Sequence, residues 1–148
     1  MLPCARTLEG MTDTTIRLDT DQLHAIVPFS ARLGVRVAEA TPETVRLELD
    51  WQEDLCTAGG VLHGGALMSL ADTAGAVTAF LNLPDGAEGT TTIESKTNLL
   101  AAVREGTVTA RATPIHAGGT LIVVETELRD GDDRLVAKTT QTQAVLRG

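Results

Sequence analysis

The chain has 148 residues, a net charge of −8 and a sequence pI of about 4.7, and 43% of its residues are hydrophobic. This length suits one domain with a substantial core. The acidic balance, without any basic run, argues against binding to nucleic acid and to an anionic membrane surface. Only 2% of the residues are aromatic, so the core must be built from aliphatic and small side chains.

Neither the cysteines nor the N-terminal residues indicate an exported protein. Cys4 and Cys56 are too few for a disulfide framework, and no metal-ligand spacing surrounds them. Residues 1–20 lack the apolar core of a secretory signal. We therefore expect a cytoplasmic protein without metal or cofactor, with an N-terminal extension over residues 1–20 and one domain over residues 21–148.

The first half of the chain predicts short elements. Thr20 or Asp21 can cap a short helix, which Pro28 helps to stop. Two strands follow, joined by a turn that contains proline, and the second strand alternates strictly between apolar and polar residues. In chain order, the predicted helix, the two strands and the loop after them cover residues 22–27, 34–40, 45–50 and 56–60.

A long apolar helix is predicted from Gly64 to about Leu81. Almost every face of it is apolar, which indicates burial on all sides, and the charge of Asp72 at its centre makes it a poor membrane span. A long buried helix between two sets of antiparallel strands predicts an α+β fold. The strands after this helix are predicted over residues 90–100, 107–113, 120–128 and 135–146, with a hairpin turn at 130–133.

Two glycines open the long helix and make its start a candidate oxyanion site. The N–H groups in the first turn of a helix lack partners and carry partial positive charge. Because Gly64 and Gly65 have no side chains, these groups remain accessible. Donors of this kind can stabilise an oxyanion.

Asp72 is the second candidate for chemistry, since it lies in the middle of the most apolar helix. Aspartate has poor helix propensity there, and a buried unpaired carboxylate is costly. Either a structural hydrogen bond or a catalytic role must therefore account for it. On this residue alone, both interpretations are open.

The spacing between these groups predicts that they serve different subunits. Asp72 is eight residues from Gly64, which is ~12 Å along a helix axis, so one reacting group cannot easily contact both in one chain. His63 lies on the opposite side of the helix from Asp72 at about 100° per residue. If Gly64 and Asp72 serve one reaction, they come from different subunits.

The run His63-Gly64-Gly65, followed by Asp72 in an Ala-rich helix, resembles the signature of hotdog-fold thioesterases of the phenylacetate-pathway group. Residues 94–98, ESKTN, match a further segment typical of this family. The resemblance implies a long central helix wrapped by an antiparallel sheet. It also implies a homodimer, able to pair into a tetramer, which hydrolyses an acyl-CoA to the free acid and CoA at sites between subunits.

The resemblance further implies a role for each residue of the motif. The Gly64 N–H would polarise the thioester carbonyl, and Asp72 of the partner subunit would act as general base on water or as nucleophile. Gly65 would add a substrate contact. His63 would orient the loop near the acyl carbonyl; the alternative is a helix-start histidine bonded to the backbone.

Two threonines complete the implied catalytic set. The family usually has Asn or Gln six residues before the histidine, where this chain has Thr57, whose hydroxyl lacks the two donors of an amide. Thr92 best matches the Ser or Thr that positions the water in related enzymes. Thr90 and Thr91 are the nearest alternatives.

The turn before the penultimate strand is the implied contact for CoA. We expect Gly118, Gly119 and Thr120 to supply backbone and hydroxyl contacts, with Arg104 as a charge partner. The alternative for this turn is a plain glycine hairpin without a binding role.

A second function is open from the same residues, a hotdog dimer that binds acyl-CoA as a sensor or store without hydrolysis. Thr57 in place of an amide favours this reading. Asp72 argues against it, because a binding protein has no use for that carboxylate. A dehydratase of this fold would need an Asp and a His a few residues apart near a helix start, and the chain has no such pair.

Overall fold

The fold is described for residues 18–148 from a computed structural model. Two short helices come first, α1 (Thr20–Ile26) and α2 (Pro28–Leu33). The predicted N-terminal extension lies outside the described residues as far as residue 17, and so does Cys4.

The cap of α1 is Asp19, and the prediction of Thr20 or Asp21 is wrong. The Asp19 carboxylate accepts the Gln22 N–H at 2.8 Å, and the Gln22 side chain accepts the Asp19 N–H at 2.9 Å. This reciprocal pair is a capping box, in which two otherwise unpaired N–H groups are satisfied.

Helix α2 was not predicted, because Pro28 was interpreted only as a stop. Pro28 is instead the first residue of α2, where its missing N–H costs nothing and its fixed φ suits the helix. Gly34 ends α2 in the left-handed conformation, with φ at 75°, which a residue without Cβ adopts without strain.

Within the described residues, the strands and the long helix follow the predicted order. The predicted loop over residues 56–60 differs, because its ends pair as two short strands. Helix α3 (Gly64–Leu81) lies between the fourth and fifth strands. The strands are β1 (Arg36–Ala40), β2 (Val45–Asp50), β3 (Cys56–Thr57), β4 (Val61–Leu62), β5 (Gly89–Leu99), β6 (Thr107–Ala117), β7 (Leu121–Arg129) and β8 (Leu135–Leu146).

Six of these strands form one antiparallel sheet in the order β1-β2-β6-β7-β8-β5. Helix α3 packs on one face of this sheet, against β2 and β5 to β8. Strands β3 and β4 form a separate small hairpin before the helix. A long helix wrapped by an antiparallel sheet is the predicted hotdog fold, and the α+β prediction is confirmed.

The alternation of β2 places its side chains on the two faces of the sheet. Val45, Leu47 and Leu49 are fully buried towards α3, while Arg46 and Glu48 lie on the outer face. This period of two is what the sequence predicts for a half-buried strand. The core is therefore the layer between α3 and the sheet.

Helix α3 is not buried on all sides, and that prediction is wrong for the single chain. Met68 is 44% exposed, Phe80 is 50% exposed, and Asp72 between them is also exposed. These residues are separated by multiples of four and therefore share one helix face. By length and composition α3 could cross a membrane, but 56% of it is buried inside the fold, as in the core helix of a folded domain.

An ion pair on the outer face of the sheet predicts acid sensitivity. Arg36 donates to both oxygens of Asp50, at 2.5 and 3.0 Å, and Thr107 donates to it at 2.6 Å. These hydrogen bonds, from Arg36 first and Thr107 second, lower the pKa of Asp50 from 3.8 to about 2. The lowered folded-state pKa gives stability above about pH 4 that is lost as the pH falls through about 2.

We predict that Asp50→Asn destabilises the protein at pH 7 by about 1 kcal/mol or less, because the pair is half-exposed and screened. The difference from wild type should shrink between about pH 4 and pH 2. Urea unfolding at several pH values measures it, with the exposed Asp85→Asn as control. A gap that stays constant down to pH 2 contradicts the prediction.

Candidate active site

The start of α3 is organised by His63, its N-cap residue. The Nδ1 atom of His63 accepts the Gly65 N–H at 2.8 Å. The ring therefore carries its proton on Nε2, which remains a donor. This contact matches the alternative in which His63 is a helix-start histidine bonded to the backbone. The Gly65 N–H is predicted as a substrate contact, but in this structure it donates to His63.

One N–H group in the first turn of α3 has no hydrogen-bond partner among residues 18–148. The His63 carbonyl accepts the N–H groups of Ala66 and Leu67 at 2.9 and 3.3 Å, and its ring accepts that of Gly65. The Gly64 N–H has no acceptor among residues 18–148. Of the helix-start N–H groups, Gly64 is therefore the one available to a ligand.

The side chain of Leu99 lies close over Gly64. A Cβ at this position would lie 2.5 Å from Leu99 Cδ1, at the end of β5. Gly64, Thr57 and Leu99 line one hollow of about 340 Å³, whose other walls are mainly aliphatic. A second hollow of about 280 Å³ on the other side of the helix start is lined by His63, Gly65 and residues of α2.

Arg104 joins this region through the hairpin before the helix. Its Nη1 donates to the Gly59 carbonyl at 2.7 Å, in the turn between β3 and β4. Thr57 lies in the same hairpin and is exposed. The chain thus gathers one set of predicted residues, here called the helix-start half-site: Thr57, His63, Gly64, Gly65 and Arg104.

The Asp72 carboxylate belongs to a separate cluster further along α3. Thr92 of β5 donates to Asp72 Oδ1 at 3.3 Å, so these two predicted residues are brought together. Gln141 Nε2 donates to the same oxygen at 2.8 Å. Asp72 Oδ2 has no hydrogen-bond or ion-pair partner among residues 18–148.

Two glutamines of β8 complete this cluster, and the sequence interpretation missed both. Gln141 also donates to Thr92 Oγ1, at 3.1 Å, and Gln143 donates to it at 2.7 Å. Gln141 is fully buried and Gln143 is 1% exposed. We call these four residues the carboxylate half-site: Asp72, Thr92, Gln141 and Gln143.

A signal for the glutamines exists in the sequence of β8. Thr139, Gln141 and Gln143 occupy alternate positions that face the core, where a half-buried strand normally carries apolar residues. Buried polar groups that break a local rule are found mostly at functional sites. Reading the alternation of β8 in this way would have identified them.

The turn between β6 and β7 holds Gly118, Gly119 and Thr120, but Arg104 is not their charge partner in one chain. Arg104 precedes β6 and the turn follows it, and an 11-residue strand is ~36 Å long. The cation near the turn is Arg147, whose Nη2 donates to the Gly119 carbonyl at 3.3 Å.

The turn itself is closed by backbone hydrogen bonds. The Gly118 N–H donates to the Leu121 carbonyl, and the Thr120 carbonyl accepts the Val145 N–H, both at 2.9 Å. A Cβ at Gly118 would lie 2.5 Å from His116 Nε2 and 3.1 Å from the Leu121 oxygen. This tight packing also fits the alternative of a plain glycine hairpin, and the binding role of the turn stays a prediction.

No group of three His, Cys, Asp or Glu residues between residues 18 and 148 is arranged to hold a metal ion. The groups described above are backbone N–H groups, hydroxyls and amides, which can donate hydrogen bonds, and one carboxylate, which accepts them. Such a set can polarise a carbonyl and activate water or attack directly.

Comparison with known proteins identifies the family. Residues 59–137 match the family model described as the thioesterase superfamily. The chain belongs to the thioesterase superfamily. A proposed esterase of Saccharolobus solfataricus is 35% identical over 115 residues, which cover 78% of this chain and 81% of that protein.

Solved structures agree with this family. A thioesterase of Haemophilus influenzae superposes with a TM-score of 0.81 at 26% identity, covering 88% of this chain and 92% of that chain. A mutant thioesterase of Pseudomonas aeruginosa has a TM-score of 0.81 at 28% identity, covering 90% and 96%. The predicted resemblance to hotdog thioesterases is confirmed, and these relatives support a hydrolase that acts on esters or thioesters.

The close approach of α3 to Gln141 yields a stability prediction. A Cβ at Gly75 would lie 2.1 Å from Gln141 Oε1 and 2.9 Å from its Cδ. Alanine gains about 1 kcal/mol of helix propensity over glycine, but overpacking a core costs about 1–3 kcal/mol. Because Gln141 is fully buried, its amide cannot swing into solvent.

We therefore expect Gly75→Ala to lower the free energy of unfolding by about 1–2 kcal/mol, because the 2.1 Å approach places the overpacking cost in the upper part of its range, above the gain in propensity. Urea unfolding measures this change. Gly131→Ala is the matched control, since nothing lies within 4 Å of a Cβ built there. Equal stability of Gly75→Ala and wild type would show that the helix does not touch this amide.

Proposed function

We propose that this thioesterase hydrolyses acyl-CoA to the free acid and CoA, as a homodimer of the phenylacetate-pathway type. The observation that carries the proposal is Asp72. Its carboxylate stands on an exposed face of the core helix, with Oδ1 held by two donors and Oδ2 without a partner among residues 18–148. A carboxylate with one free oxygen is equipped for chemistry rather than for a structural hydrogen bond alone.

The separation of the two half-sites supports an active site between subunits. Gly64 and Asp72 are ~12 Å apart along the axis of α3. Gly64 lies under Leu99, at the end of β5, whereas Asp72 bonds Thr92, near its beginning. Each chain thus offers both halves of a site at opposite ends of one strand.

The edge of the sheet provides a route for joining these halves. Strand β5 is an edge strand of 11 residues, and most of its side chains are exposed, including Ile93 at 59% and Leu99 at 53%. A long open edge with apolar side chains is a template for pairing with another strand. Antiparallel pairing of two β5 copies brings the end of one to the beginning of the other.

In such a dimer the proposed chemistry uses Gly64 of one subunit and Asp72 of the other. The thioester carbonyl accepts the Gly64 N–H, which stabilises the oxyanion as the carbonyl carbon becomes tetrahedral. As general base, Asp72 takes a proton from water, whose oxygen attacks the carbon. The C–S bond then breaks, and the proton passes from Asp72 to the leaving thiolate, which departs as CoA. As nucleophile, Asp72 forms an anhydride and releases CoA, and water then hydrolyses the anhydride.

The second candidate, an acyl-CoA-binding dimer without hydrolysis, is favoured by Thr57. Thr57 lines the hollow beside Gly64, at a position where the family usually has an amide with two donors. The carboxylate half-site has no role in such a protein. The two functions differ in one measurable property, the release of free thiol from acyl-CoA.

We predict that the protein releases thiol from a panel of aryl- and alkyl-CoA esters, and that Asp72→Asn lowers kcat by about 10²–10⁴-fold. Asp21→Asn, an exposed aspartate of α1, is the control and should retain wild-type kcat. If the wild type binds the esters tightly but releases no thiol, the hydrolase proposal is wrong and the acyl-CoA-binding function takes its place.

Mixed dimers test whether the two half-sites combine across subunits. Gly64→Pro removes the N–H at a helix position that tolerates proline, and His63 before it already has the extended backbone that proline requires (φ −62°, ψ 136°). Leu99→Ala is added to make room for the ring, and Leu99→Ala alone is the control.

Homodimers of Gly64→Pro/Leu99→Ala and of Asp72→Ala should each lose at least about 10²-fold in kcat. A mixed dimer of the two, isolated with different tags, contains one intact site. We expect it to regain about half the activity of the wild-type dimer, because the intact site contains the unchanged Gly64 and Leu99 of the Asp72→Ala chain. If the mixed dimers are as inactive as their parents, both residues act in the same chain's site. Separately, solution scattering that shows a monomeric wild type would contradict the dimer.

A further inference from the structure

Gln141 reaches two side-chain acceptors of the carboxylate half-site at once, while the Asp72 carbonyl oxygen lies further from the same amide nitrogen, at 3.5 Å. Its amide nitrogen has two hydrogens, and it lies 2.8 Å from Asp72 Oδ1 and 3.1 Å from Thr92 Oγ1. An ionised carboxylate only accepts hydrogen bonds, so the nitrogen and not the oxygen of the amide must face Asp72. This orientation uses both N–H groups of Gln141.

The hydroxyl of Thr92 is then left with one possible direction for its proton. A hydroxyl has two lone pairs and one hydrogen. The lone pairs accept from Gln141 at 3.1 Å and from Gln143 at 2.7 Å. The hydrogen must therefore point to Asp72 Oδ1, 3.3 Å away.

We infer that Gln141 and Gln143 are positioning residues of the thioesterase, which fix the Thr92 proton on Asp72 Oδ1 and leave Oδ2 as the reacting oxygen. The inference rests on the proposed function, in which Asp72 is the catalytic carboxylate. Oδ1 receives two hydrogen bonds and is thereby locked in place. Oδ2 is the oxygen that takes the proton from water or attacks the thioester carbon.

This arrangement gives Thr92 a different role from the one expected by resemblance. Its hydrogen is committed to Asp72 and both lone pairs are used, so it has no donor for a water molecule. Thr92 acts on the carboxylate instead, and a nucleophilic water is held by Asp72 Oδ2.

The burial of Gln141 indicates that its donors are retained for a purpose. Its Oε1 atom is buried against the helix at Gly75 and has no hydrogen-bond partner among the described residues. An unpaired buried carbonyl lowers stability, and an apolar side chain of the same shape would avoid that loss. Such a replacement would also remove the two N–H groups of the amide, which bond Asp72 and Thr92.

Methionine is the replacement that separates positioning from packing, since it keeps the shape of glutamine without its donors. We expect Gln141→Met to lower kcat by about 10²-fold, the effect of a misplaced reacting group, with KM within about twofold and a melting temperature equal to wild type or higher. Thr139→Val is the matched control, a buried polar residue of β8 that bonds Thr97 and not Asp72. A kcat unchanged in Gln141→Met would overturn the inference.

Gln143 acts only through Thr92, which a double variant tests. Gln143→Met should lower kcat about three- to tenfold, the factor that one hydrogen bond contributes. In a Thr92→Val background the same substitution should have no further effect on kcat, whereas Gln141→Met should still lower it, because Gln141 also bonds Asp72 directly. An additive loss from Gln143→Met in that background would overturn the proposed order of hydrogen bonds.

If Gln141→Met fails to fold, Gln141→Leu removes the same two donors with a smaller apolar side chain and carries the same expectation for kcat. A second readout does not depend on activity. Thr92→Val should shift the side-chain amide NMR signals of both glutamines, and Asp72→Asn mainly those of Gln141. If the wild type releases no thiol but the variants show these shifts, only the proposed function is overturned. If Thr92→Val leaves the side-chain amide signal of Gln143 unchanged, only this inference is overturned.

Discussion

Close packing between α3 and the sheet is the constraint on which the site depends. Ala71 and Ala74 of the helix are fully buried, and Ala110 and Ala112 of β6 face the same layer. Larger side chains would hold the helix away from the sheet, because protein interiors have no spare volume. At this short distance the carboxylate on the helix flank reaches side chains of β5 and β8, and a methyl group at Gly75 would already displace Gln141.

The sequence predicts the features of this fold that follow from local chemistry. The alternation of β2, the length of α3 and the glycines at its start are all local, and the structure confirms the order of elements along the chain and the helix they predict. The free Gly64 N–H also follows from the rule that the first turn of a helix leaves donors unpaired. His63 could be interpreted in two ways, because a histidine at the start of a helix is preceded and followed by the same residues whether it caps the helix or contacts a ligand.

Features that depend on register or on a partner could not be predicted in this way. The contacts of Gln141 and Gln143 with Thr92 require β8 to pair with β5 in one register, which no local pattern fixes. The exposure of Asp72 was missed because an apolar helix indicates burial without telling whether the cover is the same chain or another copy. The separation of Arg104 from the β6–β7 turn, by contrast, followed from strand length and was within reach of the sequence.

The small residues of α3 also determine how little freedom remains beneath the carboxylate. Alanine and glycine have no side-chain rotamers to lose on folding, and the hydroxyls of Thr73 and Thr78 are each tied to the carbonyl one turn earlier, at 2.9 and 2.8 Å. The buried side of the helix beneath Asp72 therefore has almost no alternative rotamers. This side cannot repack in small steps to suit a ligand, so adaptation to different acyl groups must come from exposed side chains such as Met68, from the walls around the carboxylate and from the arrangement of the two subunits.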